Sequence, residues 1–118
     1  MRSALLSTLL VALSACGGGN LCENSAHGGI PSPDGELVAW VFLRSCGPGT
    51  PTSTHVSILP TDAPPPSEAG NVFVAEPIVE VSVEWPGDHR LLVWHGANGR
   101  VLEQQYQVSG VTLAYRSR

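Results

Sequence analysis

The chain has 118 residues, of which 42% are hydrophobic and 14% are charged, a composition typical of one small globular domain. Ten acidic residues outnumber six basic ones, lysine is absent, and the formal net charge is −4 at pH 7. Such a chain offers no electrostatic footprint for nucleic acid and no polybasic patch for anionic lipid headgroups. We therefore expect no nucleic-acid partner.

The first fifteen residues have the layout of a secretory signal. Arg2 supplies a positive charge, residues 4–13 form a short apolar run, and small residues lead up to Cys16. A helix that spans a bilayer needs about 20 apolar residues, so this run is too short to be a permanent anchor.

The Leu13-Ser14-Ala15-Cys16 ending resembles the lipobox of bacterial prolipoproteins. The resemblance implies cleavage before Cys16 and a diacylglycerol on its thiol, and two acyl chains make membrane attachment stable. Gly17 at the second mature position implies delivery to the outer membrane, facing the periplasm. The alternative is an unprocessed chain in which Cys16 is an ordinary core or disulfide cysteine, although Gly17–Gly19 is typical of a flexible tether. We expect a signal peptide at 1–15, a tether and leader at 16–30, and a β domain at 31–118.

Two cysteines remain if Cys16 is lipidated. In an oxidising compartment Cys22 and Cys46 favour a disulfide, and closing a loop of about 25 residues contributes roughly 3 kcal/mol. Two free thiols, or a metal pair completed by a histidine, are the alternatives. The spacing matches no common zinc pattern.

β-type patterns dominate the chain after the leader, and no stretch combines helical spacing with caps. Residues 22–30 lack periodicity and indicate a loop, whereas the apolar run Leu37–Leu43 predicts a central strand covered on both faces. A second strand is expected within 53–59 and a short one within 71–75. Between them, Pro60–Gly70 contains three consecutive prolines and indicates a surface loop with polyproline II character.

Strict alternation over residues 79–85 predicts a half-buried strand whose inward side chains are Val79, Val81, Val83 and Trp85. Asn98-Gly99 is a strong signal for a type I′ hairpin turn, and Ser109-Gly110 is a second tight turn. From Val79 onward we expect a four-stranded meander. The fold predicted is all-β: a single small antiparallel sheet or sandwich of about six or seven strands.

Most of the chain after residue 31 also resembles a family of small uncharacterised bacterial proteins, many of them lipoproteins. The resemblance implies a compact β domain and supplies no activity, because the family is a domain of unknown function. One departure is Gly47-Pro48-Gly49-Thr50-Pro51, where relatives more often show Gly-Ala-Thr-Thr. The matching stretches are Ser32–Gly35, Arg44–Gly47, Ser53–Leu59, Asn71–Phe73, Val83–Trp85 and Gly110–Tyr115.

Candidates for a chemical site are few. The four histidines, at positions 27, 55, 89 and 95, are scattered, so they are interpreted as surface or rim residues, with a weak transition-metal site as the alternative. No Gly-x-Ser-x-Gly elbow marks a nucleophile. We expect no catalytic residues, no metal and no cofactor.

Two further groups of residues allow two interpretations each. Glu80 and Glu84, with Glu76 nearby, form an acidic stripe that is either a solvated face or a docking surface for a basic partner or cation. The tryptophans lie at apolar strand positions, where they either pack in the core or form a platform for sugars. They are Trp40, Trp85 and Trp94.

The Cys46–Pro51 loop is the expected binding surface, because it is glycine-rich and lies at a strand end. The candidate binding residues are Arg44, Gly47, Gly49 and Thr50. The first hypothesis is a non-catalytic envelope lipoprotein that binds another envelope protein or a wall component. The alternatives are a small ligand-binding or inhibitor module that acts through this loop, and an enzyme.

Overall fold

The computed structural model describes residues 21–118, which form nine strands in two sheets. The first sheet has the order β1-β2-β3-β4-β7 and the second has the order β5-β6-β9-β8. The all-β prediction is confirmed, and within residues 21–118 no helix is long and apolar enough to cross a membrane. The strands are β1 (Glu23–Pro31), β2 (Leu37–Ser45), β3 (Ser53–Pro60), β4 (Phe73–Glu76), β5 (Val81–Gly87), β6 (Arg90–His95), β7 (Arg100–Gln104), β8 (Gln107–Val108) and β9 (Val111–Ser117).

The core lies between the two sheets. Each strand places alternate side chains in it, because successive side chains of a strand point to opposite faces. The first sheet contributes, among others, Ala39, Val56, Ile58, Phe73 and Ala75; the second contributes Val83, Leu91, Val93, Val111 and Leu113.

The strands buried on both faces are β3 and the short β4, not β2 as predicted for Leu37–Leu43. All five residues from Thr54 to Ile58 are buried, whereas β2 is mostly half-buried. The reason is position: β3 is the middle strand of the first sheet, and β2 has only the glycine-containing edge strand β1 beyond it.

The leader predicted as a loop at 22–30 forms most of β1, so the sheet begins at Glu23 rather than at residue 31. Gly29 makes this strand possible despite its irregular sequence. A Cβ there would lie 2.2 Å from Val38 Cγ1 and 3.1 Å from the Trp40 ring, so only glycine lets the strand approach β2 this closely. A bulge between Ala26 and Gly29 accommodates Gly28, whose φ is +75°.

The expected four-stranded meander is wrong. β7 crosses to the first sheet and pairs with β4, and β9 returns to lie parallel to β6. Asn98-Gly99 therefore connects two sheets instead of closing a hairpin. Two-residue hairpin turns are formed instead by Asp88-His89, between β5 and β6, and by Ser109-Gly110, between β8 and β9. At Ser109-Gly110 φ is +51° and +78°, as a type I′ turn requires.

The tryptophans do not share one environment. Trp85 packs against the core, and its Nε1 donates to the Ile30 carbonyl at 2.8 Å, which joins the second sheet to the edge of the first. Trp40 and Trp94 alternate with core residues and therefore lie on the outer faces of the two sheets, half-buried. Core packing, the favoured interpretation for all three, holds for Trp85.

Candidate functional site

The segment between β3 and β4, here called the proline loop (residues 61–72), folds back over the outer face of the first sheet. Asn71 attaches its end to β3: the side-chain Oδ1 accepts from Ile58 N at 2.9 Å, and Nδ2 donates to Ile58 O at 3.0 Å. The backbone N–H of Asn71 donates to Ser57 Oγ at 3.1 Å. Because the side chain satisfies both backbone groups of Ile58, it replaces a neighbouring strand at this point.

A second attachment holds the middle of the proline loop. Asn24 Nδ2 donates to the carbonyls of Pro66, at 3.0 Å, and Glu68, at 2.8 Å. Arg44 Nη1 donates to Asn24 Oδ1 at 2.7 Å and to Ser67 O at 3.3 Å. The arginine therefore orients the asparagine, and the pair fixes three successive loop residues to β1 and β2.

Between these attachments and the sheet lies a cleft of about 370 Å³, mostly apolar and open to solvent. This volume is at the lower end of the range for ligand pockets, roughly 300–1,000 Å³. The apolar walls are Leu59, Ala63, Pro64, Pro65, Pro66 and Ala69, and Ser57 and Asn71 add polar groups.

His55 lies beneath the proline loop and is 3% exposed. Its Nδ1 accepts a hydrogen bond from the Gly70 amide at 2.8 Å, so the ring proton is on Nε2, which donates to Ser53 Oγ at 2.7 Å. Phe42 stacks on the ring with centroids 5.2 Å apart. Ser53 therefore accepts from the imidazole, which is the reverse of the arrangement that activates a serine nucleophile.

Burial, followed by the nearby positive charge of Arg44, lowers the pKa of His55 to about 4. Protonation would put a hydrogen on Nδ1, facing the Gly70 amide, and would place an unpaired charge under the loop. The unfolded chain binds this proton near pH 6.5, whereas the folded chain binds it near pH 4. The contribution of the neutral ring to the free energy of unfolding is therefore fully present above pH 6.5 and is lost as the pH falls from 6.5 to 4. The buried ring is thus both an anchor of the proline loop and its point of acid sensitivity.

We expect the free energy of unfolding to fall by about 3 kcal/mol between pH 7 and pH 4 because of His55 alone. Urea titrations of wild type and His55→Gln at several pH values measure it, and the variant should have a flatter pH profile. His89→Gln, at an exposed position, is the control and should follow wild type. An NMR titration that gives His55 a pKa near 6.5 would contradict the prediction.

The Cys22–Cys46 disulfide is formed, as predicted. It joins the residue before β1 to the residue after β2. In the loop beyond it, Gly47 and Gly49 have φ of +102° and +86°, and Thr50 Oγ1 donates to the Gly47 carbonyl at 2.8 Å. The Gly47 carbonyl therefore closes the turn by accepting from both the backbone N–H and the hydroxyl of Thr50.

The predicted binding residues separate into two places. Gly47, Gly49 and Thr50 stay in the Cys46–Pro51 loop, whereas Arg44 holds the proline loop. Sequence reasoning missed Asn24, His55 and Asn71 as loop anchors. None of the three stands out in the sequence; His55, for example, lies in a strand that also contains Ser53, Thr54 and Ser57.

The other candidates do not assemble into a centre. Glu76 pairs with Arg100 at 2.6 Å, which removes it from the acidic stripe with Glu80 and Glu84. His95 packs against the Phe73 ring, with centroids 5.1 Å apart. Among residues 21–118 no three histidine, cysteine or carboxylate side chains gather as metal ligands. The lipobox and Cys16 lie outside the described residues.

Comparison with protein-family models gives no match, and neither curated proteins nor solved structures give a significant one. The residues of the signal-like segment and the geometry of residues 21–118 are therefore the basis for assigning a role.

Proposed function

We propose that this chain is a bacterial envelope lipoprotein, anchored through lipidated Cys16, whose β sandwich is a non-catalytic binding module in the periplasm. The observation that carries the proposal is the Leu13–Cys16 lipobox pattern directly after an apolar run. The Cys22–Cys46 disulfide supports it, because disulfides persist in oxidising compartments such as the periplasm.

The anchor would orient the sandwich. Six positions separate Cys16 from Cys22, which is at most about 21 Å of extended chain. β1 starts at this end and β2 returns to it, since Glu23 pairs with Ser45. The Cys46–Pro51 loop would therefore lie at the membrane-proximal end. An inhibitor loop needs free access to its target, so this position counts against the Cys46–Pro51 loop as the binding surface. The cleft lies on the outer face of the first sheet, and the part of its wall near this end is Pro66–Glu68, held by Asn24 and Arg44.

The cleft is suited to a protein partner. Its walls are mainly proline, alanine and leucine side chains, and its volume of about 370 Å³ would accommodate only a few apolar side chains of a partner. The cleft forms without rearrangement of the proline loop, because hydrogen bonds to β1, β2 and β3 already hold the loop in place. A preformed surface reduces the ordering cost of binding. A small apolar ligand is the second candidate, supported by the same cleft.

The anchoring is tested by growth with radiolabelled palmitate followed by detergent phase separation. Wild type should carry the label and partition into the detergent phase, whereas Cys16→Ala should lose both, because the thiol is the acylation site. Cys22→Ala with Cys46→Ala is the matched control and should keep the label. An unlabelled wild-type product with its original N-terminus would refute the lipoprotein assignment.

The same cells test the cleft. A photo-crosslinking residue at Ala63, in the cleft wall, should trap one partner at near-stoichiometric yield. The same residue at Ala97, an exposed position between β6 and β7, should trap little. Equal capture at both positions, or none at Ala63 in a correctly anchored protein, would exclude the cleft as the binding surface.

A further inference from the structure

The outer face of the second sheet concentrates positive charge in an acidic chain. Three of the five arginines in residues 21–118 lie on it: Arg90, Arg116 and Arg118. They share this face because they alternate with the buried residues of β6 and β9, such as Leu91 and Leu113.

A shallow groove of about 150 Å³ runs along this face between β6 and β9. Leu92, Thr112 and Ala114 form its floor, and Arg90 and Arg116 flank it. Arg90 pairs with Thr112, whereas Arg116 pairs with Trp94 four residues further along β6. At about 3.3 Å per residue the two arginine positions are therefore roughly 13 Å apart along the strands.

An aromatic ring lies at the Arg116 end of the groove. The guanidinium carbon of Arg118 is 5.0 Å from the centroid of the Trp94 ring, a cation–π contact. Arg118 Nη2 also donates to Ser82 Oγ at 3.2 Å, so the side chain crosses from β9 to β5 over the tryptophan. The end of the groove thus combines an apolar ring with a positive charge.

These arginines have no carboxylate partner. Within residues 21–118 the ion pair closer than 4 Å is Arg100–Glu76, on the first sheet. The acidic residues of the outer face, Glu80 and Glu84, lie at and beside β5, where Glu84 is directly opposite Leu92 and Arg118 reaches Ser82 between them. The positive charge along the groove itself is therefore that of Arg90 and Arg116. An unpaired guanidinium offers a planar set of donors that matches carboxylate or phosphate oxygens.

We propose that this face binds an anionic polysaccharide lying along the groove, with acidic groups at Arg90 and Arg116 and a sugar ring against Trp94. A linear polymer can repeat its acidic groups at such a spacing, and the apolar faces of its rings can cover Leu92 and Ala114. A flat anionic membrane fits less well, since docking this face would bring Glu80 and Glu84 against the headgroups. The inference goes beyond the proposed function, on which it rests for its setting in the envelope, because it adds a second surface and gives the chemical class of its ligand.

The test is calorimetric titration of the full chain, in nonionic detergent at low salt, with an oligogalacturonate of defined length. Arg90→Gln and Arg116→Gln should each weaken binding about tenfold, because each removes a charge-assisted hydrogen bond. Arg100→Gln removes the same charge from the first sheet and should change the affinity less than twofold. A neutral malto-oligosaccharide of equal length should not bind.

Equal weakening by Arg100→Gln, or no binding of the oligogalacturonate to wild type, would overturn the proposal. Tighter binding of anionic vesicles or single-stranded DNA than of the oligosaccharide would also overturn it. Cys16→Ala separates this inference from the anchoring, because the variant should lose palmitate and keep oligogalacturonate binding. A wild-type protein that carries palmitate but does not bind the oligogalacturonate would refute this binding site and leave the anchoring through Cys16 unaffected.

Discussion

Replacing Cys22 and Cys46 together by alanine is expected to lower the free energy of unfolding by roughly 3 kcal/mol. The disulfide closes a loop across 24 positions that contains both edge strand β1 and strand β2, so its loss frees a long segment of the unfolded chain. The melting temperature should fall by roughly 12–20 °C for a domain of this size. Thermal unfolding followed by circular dichroism measures the change.

Reductant provides the control for this experiment. It should lower the melting temperature of wild type toward that of the double variant and leave the double variant unchanged. The prediction fails if wild type keeps its melting temperature while thiol labelling shows that both cysteines are reduced.

Phe73→Ala is expected to cost about 3–5 kcal/mol, the range for removing a fully buried phenylalanine. Phe73 is 0% exposed and lies at the centre of the sandwich. Its ring contacts the rings of His95 in β6 and Tyr115 in β9, with centroids 5.1 and 5.9 Å apart. Truncation therefore leaves a cavity between β4 of the first sheet and β6 and β9 of the second. Urea titration gives the difference from wild type.

Ile78→Ala is the matched control, because it also removes apolar atoms but from a side chain that is 57% exposed. Its effect should be within about 0.5 kcal/mol. A Phe73→Ala variant as stable as Ile78→Ala would show that the two sheets do not share the core described above. If Phe73→Ala does not fold, Phe73→Leu, which keeps most of the volume, should show a smaller loss of the same sign.

Local patterns predicted the strands well where alternation was strict. Val83 is buried and Glu84 is exposed, as the period of two over residues 79–85 requires, and the Pro86–His89 turn leads into an antiparallel partner. The disulfide also followed from the cysteine count. These features depend on neighbours within a few residues, or on chemistry independent of the fold.

Sheet membership could not be predicted in the same way. The Asn98-Gly99 signal gives a turn, but whether the next strand pairs with β6 or crosses to β4 depends on long-range packing. Gly99 approaches Val79 so closely that a Cβ would lie 2.2 Å from Val79 Cγ1. β1 was missed for a related reason, since a glycine-containing edge strand is stabilised by its partner and not by its own propensity.

The candidate site was the least predictable part. The proline loop has no periodicity, and its attachments join residues between 13 and 44 positions apart; the longest are the contacts of Asn24 with Pro66 and Glu68. Arg44 is expected from the sequence to be a binding residue beside the Cys46–Pro51 loop, whereas in the structure it donates to Asn24 and to Ser67 of the proline loop. Hydrogen bonds of this kind follow from the completed sheet, so only the three-dimensional structure reveals them.

The parallel pairing of β9 with β6 has a consequence for the order of synthesis. Val111 and Leu113 enter the core only with the final strand, so a nascent chain that ends before residue 111 leaves Leu91 and Val93 without their neighbours. Such a chain lacks one wall of its core, so the sandwich closes only after residues 111–117 have been synthesised.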